Sequence, residues 1–199
     1  FLAFNNGENQ TNLRKDDILG CPLIKPSMEE QKRMVAELDN VSKLLADAKS
    51  KIEQNLDNSR ELFDSFLKQT FEKHFESSVS EKLSQVCSIL TCGVASTPKY
   101  VDENIGVPFL SAQNVKDGEI ILDKYNFISK EFHEKLTKKN KPTKGDILYS
   151  RVGAKFGEAG VVEHDFEFSV YVSVTLIRTI PEKVENYFLK YYLNSPLIK

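Results

Sequence analysis

The chain has 199 residues, of which 40% are hydrophobic and 28% charged, with a formal net charge of -2. That composition can bury a real core, contains no apolar run long enough to cross a membrane, and excludes a uniformly basic nucleic-acid binder. Three cysteines, Cys21, Cys87 and Cys92, form no CxxC pair and lack partners at zinc-ligand spacing, so idle thiols in a reducing cytoplasm are expected.

Residues 1 to 26 read as a short mixed stretch: NNGENQTN as a loop, LRKDD as a helical turn, and ILGCPLIKP as a short apolar strand stopped by proline. The opening FLAFNNGENQ has no basic region ahead of its apolar residues and does not resemble a signal peptide; without an initiator Met it suits a fragment. Residues 27 to 76 read as one helix. Pro26 disfavours helix for the residue before it, Ser27 is placed to accept from the first turn, and Glu30 stands three residues on to complete a capping box. Beyond it no glycine occurs until Gly93 and no proline until Pro98. Met34, Leu38, Val41, Leu45, Ala48, Ile52, Asn55, Ser59, Leu62 and Phe66 follow at alternating steps of four and three, which is a heptad seam. From Met28 to Phe75 such a helix is roughly 70 Å long, more than a small domain can cover, so it calls for a partner helix. Asn55 on the seam is the type of polar residue that fixes register at some cost in stability. Leu56, Phe63 and Leu67 widen the apolar face toward the C-terminal half, which predicts packing against a globular body.

After the SSVS break the period changes. VCSIL, VPFLSAQNV, GEIIL, GDILYSRV, AGVVEH and FSVYVSVTLIRTI are β-type runs separated by turn residues, and VENYFLKYYLNS returns to helical spacing. The fold class is therefore α+β: a mixed or antiparallel sheet with peripheral helices, attached to a long coiled-coil-forming helix. Charge is uneven along the chain. Residues 124 to 155 hold nine Lys or Arg against three acids, while residues 27 to 76 hold eight against eleven. The first region is a basic-patch candidate, although KLTKKNKPTKGD taken alone reads more readily as a solvated loop.

No enzyme emerges from the residues. GAKFGEAG, residues 153 to 160, lacks the GK[ST] of a phosphate loop, and its glycines suit a tight turn between strands. No methyltransferase motif and no converging carboxylate cluster is present. His74, His133 and His164 stand far apart without a Ser or Cys partner and read as non-catalytic.

The order of several motifs does point somewhere. Pro22, Leu23, Pro26, Glu30, Gln31, Val35, Leu38 and Asp39 at the helix junction, Thr97 and Pro98, FLSAQNVKDGEI at 109 to 120, and KGDILYSRVGAKFGEAGVV at 144 to 162 together resemble the DNA-specificity subunit of type I restriction-modification systems. The likeness runs over nearly the whole chain. It departs at Lys25, where a second proline is common, and at Phe156, which interrupts the usual short glycine turn.

That resemblance implies two target recognition domains separated by long antiparallel helices that act as a ruler between DNA half-sites. It implies residues 1–26 as the tail of a preceding recognition domain, 27–76 as the spacer helix, and 77–199 as a second recognition domain whose C-terminal end is missing. Residues 1 to 26 would supply that closing element in a paired or permuted form. The chain would act on double-stranded DNA in a prokaryotic cytoplasm, with no membrane, alongside modification and restriction subunits. S-adenosylmethionine, ATP and Mg are expected on those partners and no cofactor here.

Pairing would use Met34, Leu38, Val41, Leu45, Ile52, Asn55, Leu62 and Phe66, with self-association through the helix among the expectations. Thr97, Lys99, Tyr100, Gln113, Asn114, Arg151 and Lys155 are the base-reading candidates, with Lys138, Lys139, Lys141 and Lys144 on a flexible stretch for phosphates. Plainer readings stand beside them: Asn114 closing a turn and Tyr100 in the core. Two other classes stay open. One is the recognition part of a single-chain restriction-methylation enzyme, and the other a coiled-coil adaptor that binds protein.

Overall fold

The computed structural model describes residues 15–75, 78–95, 98–153 and 156–198. It divides into two compact units, Phe1–Asp57 and Asn58–Lys199.

In the first unit, α1 (Lys15–Leu19) is a short helix, and α2 (Met28–Phe75) begins where the sequence places it. The Ser27 hydroxyl accepts from the Glu30 amide at 3.2 Å, and the Gln31 side chain donates to the Pro26 carbonyl at 2.8 Å. The capping box differs in one half: the Glu30 carboxylate turns forward to Arg33 at 2.6 and 3.1 Å. The strand expected over ILGCPLIKP does not form. Ile18 and Leu19 belong to α1, residues 21 to 27 carry no strand, and Leu23 and Ile24 are exposed. Among the described residues this apolar run has no ladder partner, and Pro22 and Pro26 remove two of its donors. The seam residues Met34, Leu38, Val41, Leu45, Ile52 and Asn55 are likewise exposed.

The second unit takes the last turns of α2 and, among the described residues, all the strands. In chain order these elements are α3 (Leu83–Val86), β1 (Cys87–Cys92), β2 (Gly106–Leu110), a 3-10 turn at Ala112–Asn114, β3 (Val115–Lys116), β4 (Glu119–Ile120), β5 (Asn126–Ser129) and α4 (Lys130–Thr137). β6 (Ile147–Ser150), β7 (Ala159–Val161), β8 (Ser169–Val170), β9 (Val174–Thr179) and α5 (Asn186–Asn194) follow. β1, β9, β6 and β7 form an antiparallel four-stranded sheet. β5, β2 and β8 form a mixed three-stranded sheet, and β3 with β4 a hairpin whose turn residues Asp117 and Gly118 have φ of 53° and 79°. The class is α+β. β5 and α4 fall where no β-type or helical run was expected; the Ser129 hydroxyl starts α4 by accepting from the Phe132 amide at 3.2 Å.

Strand alternation builds the core on both faces of the four-stranded sheet. Ile147 and Ile177 point to one side and join Cys87, Ala159, Val161, and Leu189 and Leu193 of α5. Leu148 and Leu176 point to the other and meet Leu110, Val115, Phe168 and Val170. Burial pushes the Cys87 thiol above its ordinary pKa, which keeps it inert. His133 on α4 is buried with its Nδ1 2.9 Å from the Ser169 hydroxyl of β8.

α2 uses two faces. Leu67 is 6% exposed, and Phe71 meets Phe188 and Tyr192 edge-on at 5.6 and 5.4 Å. Phe63 and Phe75 touch Tyr191 and Tyr192 at 6.5 and 6.3 Å. This stripe of every fourth residue lies beside the seam, whose Leu62 and Phe66 remain exposed. The widened face is present, but its weight sits on Leu67, because Leu56 and Phe63 are each 50% exposed.

A repeat links the ends of the described chain. Residues 18–25, ILGCPLIK, match residues 192–199, YLNSPLIK. Both stretches begin in the last turn of a helix, α1 or α5, and both close it alike: the Cys21 amide donates to the Ile18 carbonyl at 3.3 Å, and the Ser195 amide to the Tyr192 carbonyl at 3.1 Å.

Two outcomes follow from this packing. Leu67→Ala should cost about 3 kcal/mol in denaturant unfolding, Phe63→Ala about half of that, and Leu62→Ala close to nothing; equal losses at all three would contradict the two-face division. Burial lowers the His133 pKa, Glu167 opposing and Lys141 reinforcing it. A folded pKa below the unfolded value gives stability that is full above about pH 6.5 and lost as pH falls through the folded pKa. Melting temperature should therefore drop between pH 7 and pH 5, and His133→Asn should flatten that drop.

Candidate nucleic-acid interface

β6 separates the expected contact residues into two groups. At its start lies the loop that carries Lys138, Lys139, Lys141 and Lys144, all exposed. Asp146, 1% exposed, receives a two-pronged contact from Arg178 of β9, Nε to Oδ1 at 2.7 Å and Nη2 to Oδ2 at 2.8 Å. The same Nη2 donates to the Lys141 carbonyl at 2.8 Å and the Thr143 hydroxyl at 2.7 Å, while the Thr143 amide donates to Asp146 at 2.8 Å. Gly145, at φ 89°, is held at both ends, its amide on the Val162 carbonyl and its carbonyl on the Asn186 side chain. The loop is thus held at residues 141 to 146. Asp146 does not dilute its charge, since that carboxylate faces Arg178. Lys141 is engaged by Glu167, and Lys138, Lys139 and Lys144 are exposed beside it.

At the far end of β6, after four residues or roughly 13 Å of strand, the chain reaches Arg151. Its amide donates to the Ser173 carbonyl at 2.8 Å, and its guanidinium Nη1 lies 2.7 Å from the Cys92 sulfur. The Ser173 hydroxyl accepts from the Ala112 amide at 3.0 Å, which brings the exposed Gln113 to the same end of the sheets. Arg151 and Gln113 are therefore gathered around Ser173, although 38 positions separate them in sequence. The turn between β6 and β7 is closed by Gly157 at φ 84°, its amide on the Ser150 carbonyl at 2.8 Å, as the glycines of GAKFGEAG suggest.

Asn114, one of the base-reading candidates, is turned into the protein. It is 3% exposed, its amide nitrogen spans the Ile121 and Lys124 carbonyls at 3.0 Å each, and its oxygen accepts from the Ser111 amide. With both side-chain donors and one acceptor position used internally, it closes the turn ahead of β3. Tyr100, by contrast, is half exposed and not in the core. It bridges Ile128 of β5, and Lys99 beside it is exposed. Ile128 pairs with Val107 near the start of β2, whereas Gln113 follows its end, so Lys99 and Tyr100 stand apart from the Arg151 group. Thr97 and Lys155 lie outside the described residues. Arg178, Ser173 and Cys92 were missed by sequence reasoning; an arginine inside the apolar run TLIRT, with an aspartate opening GDIL, was the available signal for the first.

No protein-family model matches the chain, and no curated protein matches it. Among solved structures, 96% of the chain aligns with 48% of a chain from work on the structural basis of complex assembly and conformational transition of the type I R-M system, at a TM-score of 0.62 and 20% identity. The HsdS subunit from Thermoanaerobacter tengcongensis aligns over 95% of this chain and 46% of its own, at a TM-score of 0.43 and 17% identity. The chain spans about half the length of the solved chains it matches. The likeness first drawn from motifs thus extends to the three-dimensional fold, shared with half of a chain from a type I R-M structure.

Proposed function

We propose that this chain is the DNA-recognition part of a type I restriction-modification specificity subunit. The observation that carries the reading is the fold match over nearly the whole chain, which includes a long helix whose heptad seam is left exposed. The lysine loop would hold phosphates without regard to sequence, and Arg151 with Gln113 would read base edges from a rigid strand end. The seam would pair with a second long helix and set the distance between half-sites. The repeat of PLIK after α1 and after α5 supports reading residues 1 to 26 as the tail of a preceding domain of the same kind. Modification and restriction subunits would supply methyl transfer and cleavage, with S-adenosylmethionine, ATP and Mg bound there, in a prokaryotic cytoplasm.

The test is DNA retardation by the chain assembled with its modification subunits across a salt series. Lys138→Glu, Lys139→Glu and Lys144→Glu together should weaken binding to every duplex and lower the salt slope by about 3. Arg151→Ala should cost about 1 to 3 kcal/mol on the recognised duplex and little on others. Retained affinity in the triple variant would remove the loop from the DNA surface. Retardation by neither the wild type nor its complexes would favour the adaptor reading.

A further inference from the structure

The guanidinium of Arg151 reaches its sulfur partner across a whole strand, and the register explains how. Cys92 of β1 pairs with Thr175 of β9, and Thr175 pairs with Tyr149 of β6. These three residues form one cross-strand row. Arg151 lies two residues beyond Tyr149, on the same face by strand alternation, so its side chain runs over β9 to β1. There Nη1 meets the Cys92 sulfur, which also stands 3.8 Å from the Thr175 hydroxyl. The Arg151 backbone is fixed separately by its bond to Ser173.

We infer that Cys92 is a positioning residue for Arg151, holding its guanidinium at the end of the sheet in readiness for a base edge. The inference rests on the DNA-recognition reading above. A thiol suits the task for a physical reason. A carboxylate in its place would orient the arginine but cancel its charge and occupy the planar fork. Sulfur is a weak acceptor that takes one of the five N–H donors and leaves the charge intact. Part of the cost of ordering a long side chain is thereby met before DNA arrives. Cys87 cannot share this role, being buried against α5.

A double-mutant cycle tests it, using the chain with its modification subunits, a duplex bearing the methylated sequence read from the host genome, and a duplex with that sequence shuffled. Cys92→Ala should weaken binding to the first duplex roughly three- to tenfold and leave the second unchanged, with the melting temperature unaltered. Cys92→Ser, which restores an acceptor, should recover most of the loss. Cys92→Ala combined with Arg151→Ala should bind no more weakly than Arg151→Ala alone. Losses that multiply, or a Cys92→Ala protein that discriminates the two duplexes as well as wild type, would overturn the assignment. Should the wild type retard neither duplex, the DNA-recognition reading fails with it, and that outcome is distinct from a wild type that discriminates while Cys92 proves neutral.

Discussion

Asp146 is a carboxylate with almost no access to water, and Arg178 answers it with two hydrogen bonds from the neighbouring strand. A buried charge left without its partner costs about 3 to 5 kcal/mol, so this pair fixes the register in which residues 141 to 146 lie against β9. The conformation of residues 141 to 146 depends on it. The guanidinium also holds the Lys141 carbonyl and Thr143 hydroxyl, so a single side chain ties down most of the turn. A segment that composition marks as a solvated lysine tract becomes a shaped edge.

The long helix solves a different problem with the same economy of residues. Its packing stripe of Phe63, Leu67, Phe71 and Phe75 engages α5 and the body of the second unit, while the seam one position away stays uncovered at Leu62 and Phe66. Two adjacent apolar stripes on one helix allow the same turns to anchor a domain and to offer a surface to another helix. The rows of i, i+4 ion pairs at Arg33 and Glu37, Lys49 and Glu53, and Lys68 and Glu72 keep the remaining faces hydrated.

Much of the fold was legible in the sequence because its signals are local. The Pro-Ser start of α2, the absence of breakers for more than sixty residues, and the short apolar β-type run in GDILYSRV each depend only on near neighbours. Where the local signal was thin, the reading failed. NFIS and KEFHEKLT carry few apolar residues and were passed over, yet they form β5 and α4, since their burial comes from β2 and β8. ILGCPLIKP failed in the opposite direction: its apolar run was clear, but a strand exists only if another strand pairs with it.

The candidate site divides along the same line. Sequence by itself determined which residue types were available, a cluster of lysines, one arginine after a β run, and a polar turn at AQN, together with the length and seam of the helix. Only the tertiary structure decided their use. Asn114 is consumed by carbonyls of the following hairpin, Lys141 meets Glu167 across 26 positions, and Arg151 meets Cys92 across 59. Hydrogen-bonding capacity is fixed by the side chain, but whether it is spent inside the protein or left for a ligand depends on partners that the fold brings from distant strands. That is why chemistry could be listed from the chain, while the division between structural and available groups required the sheet.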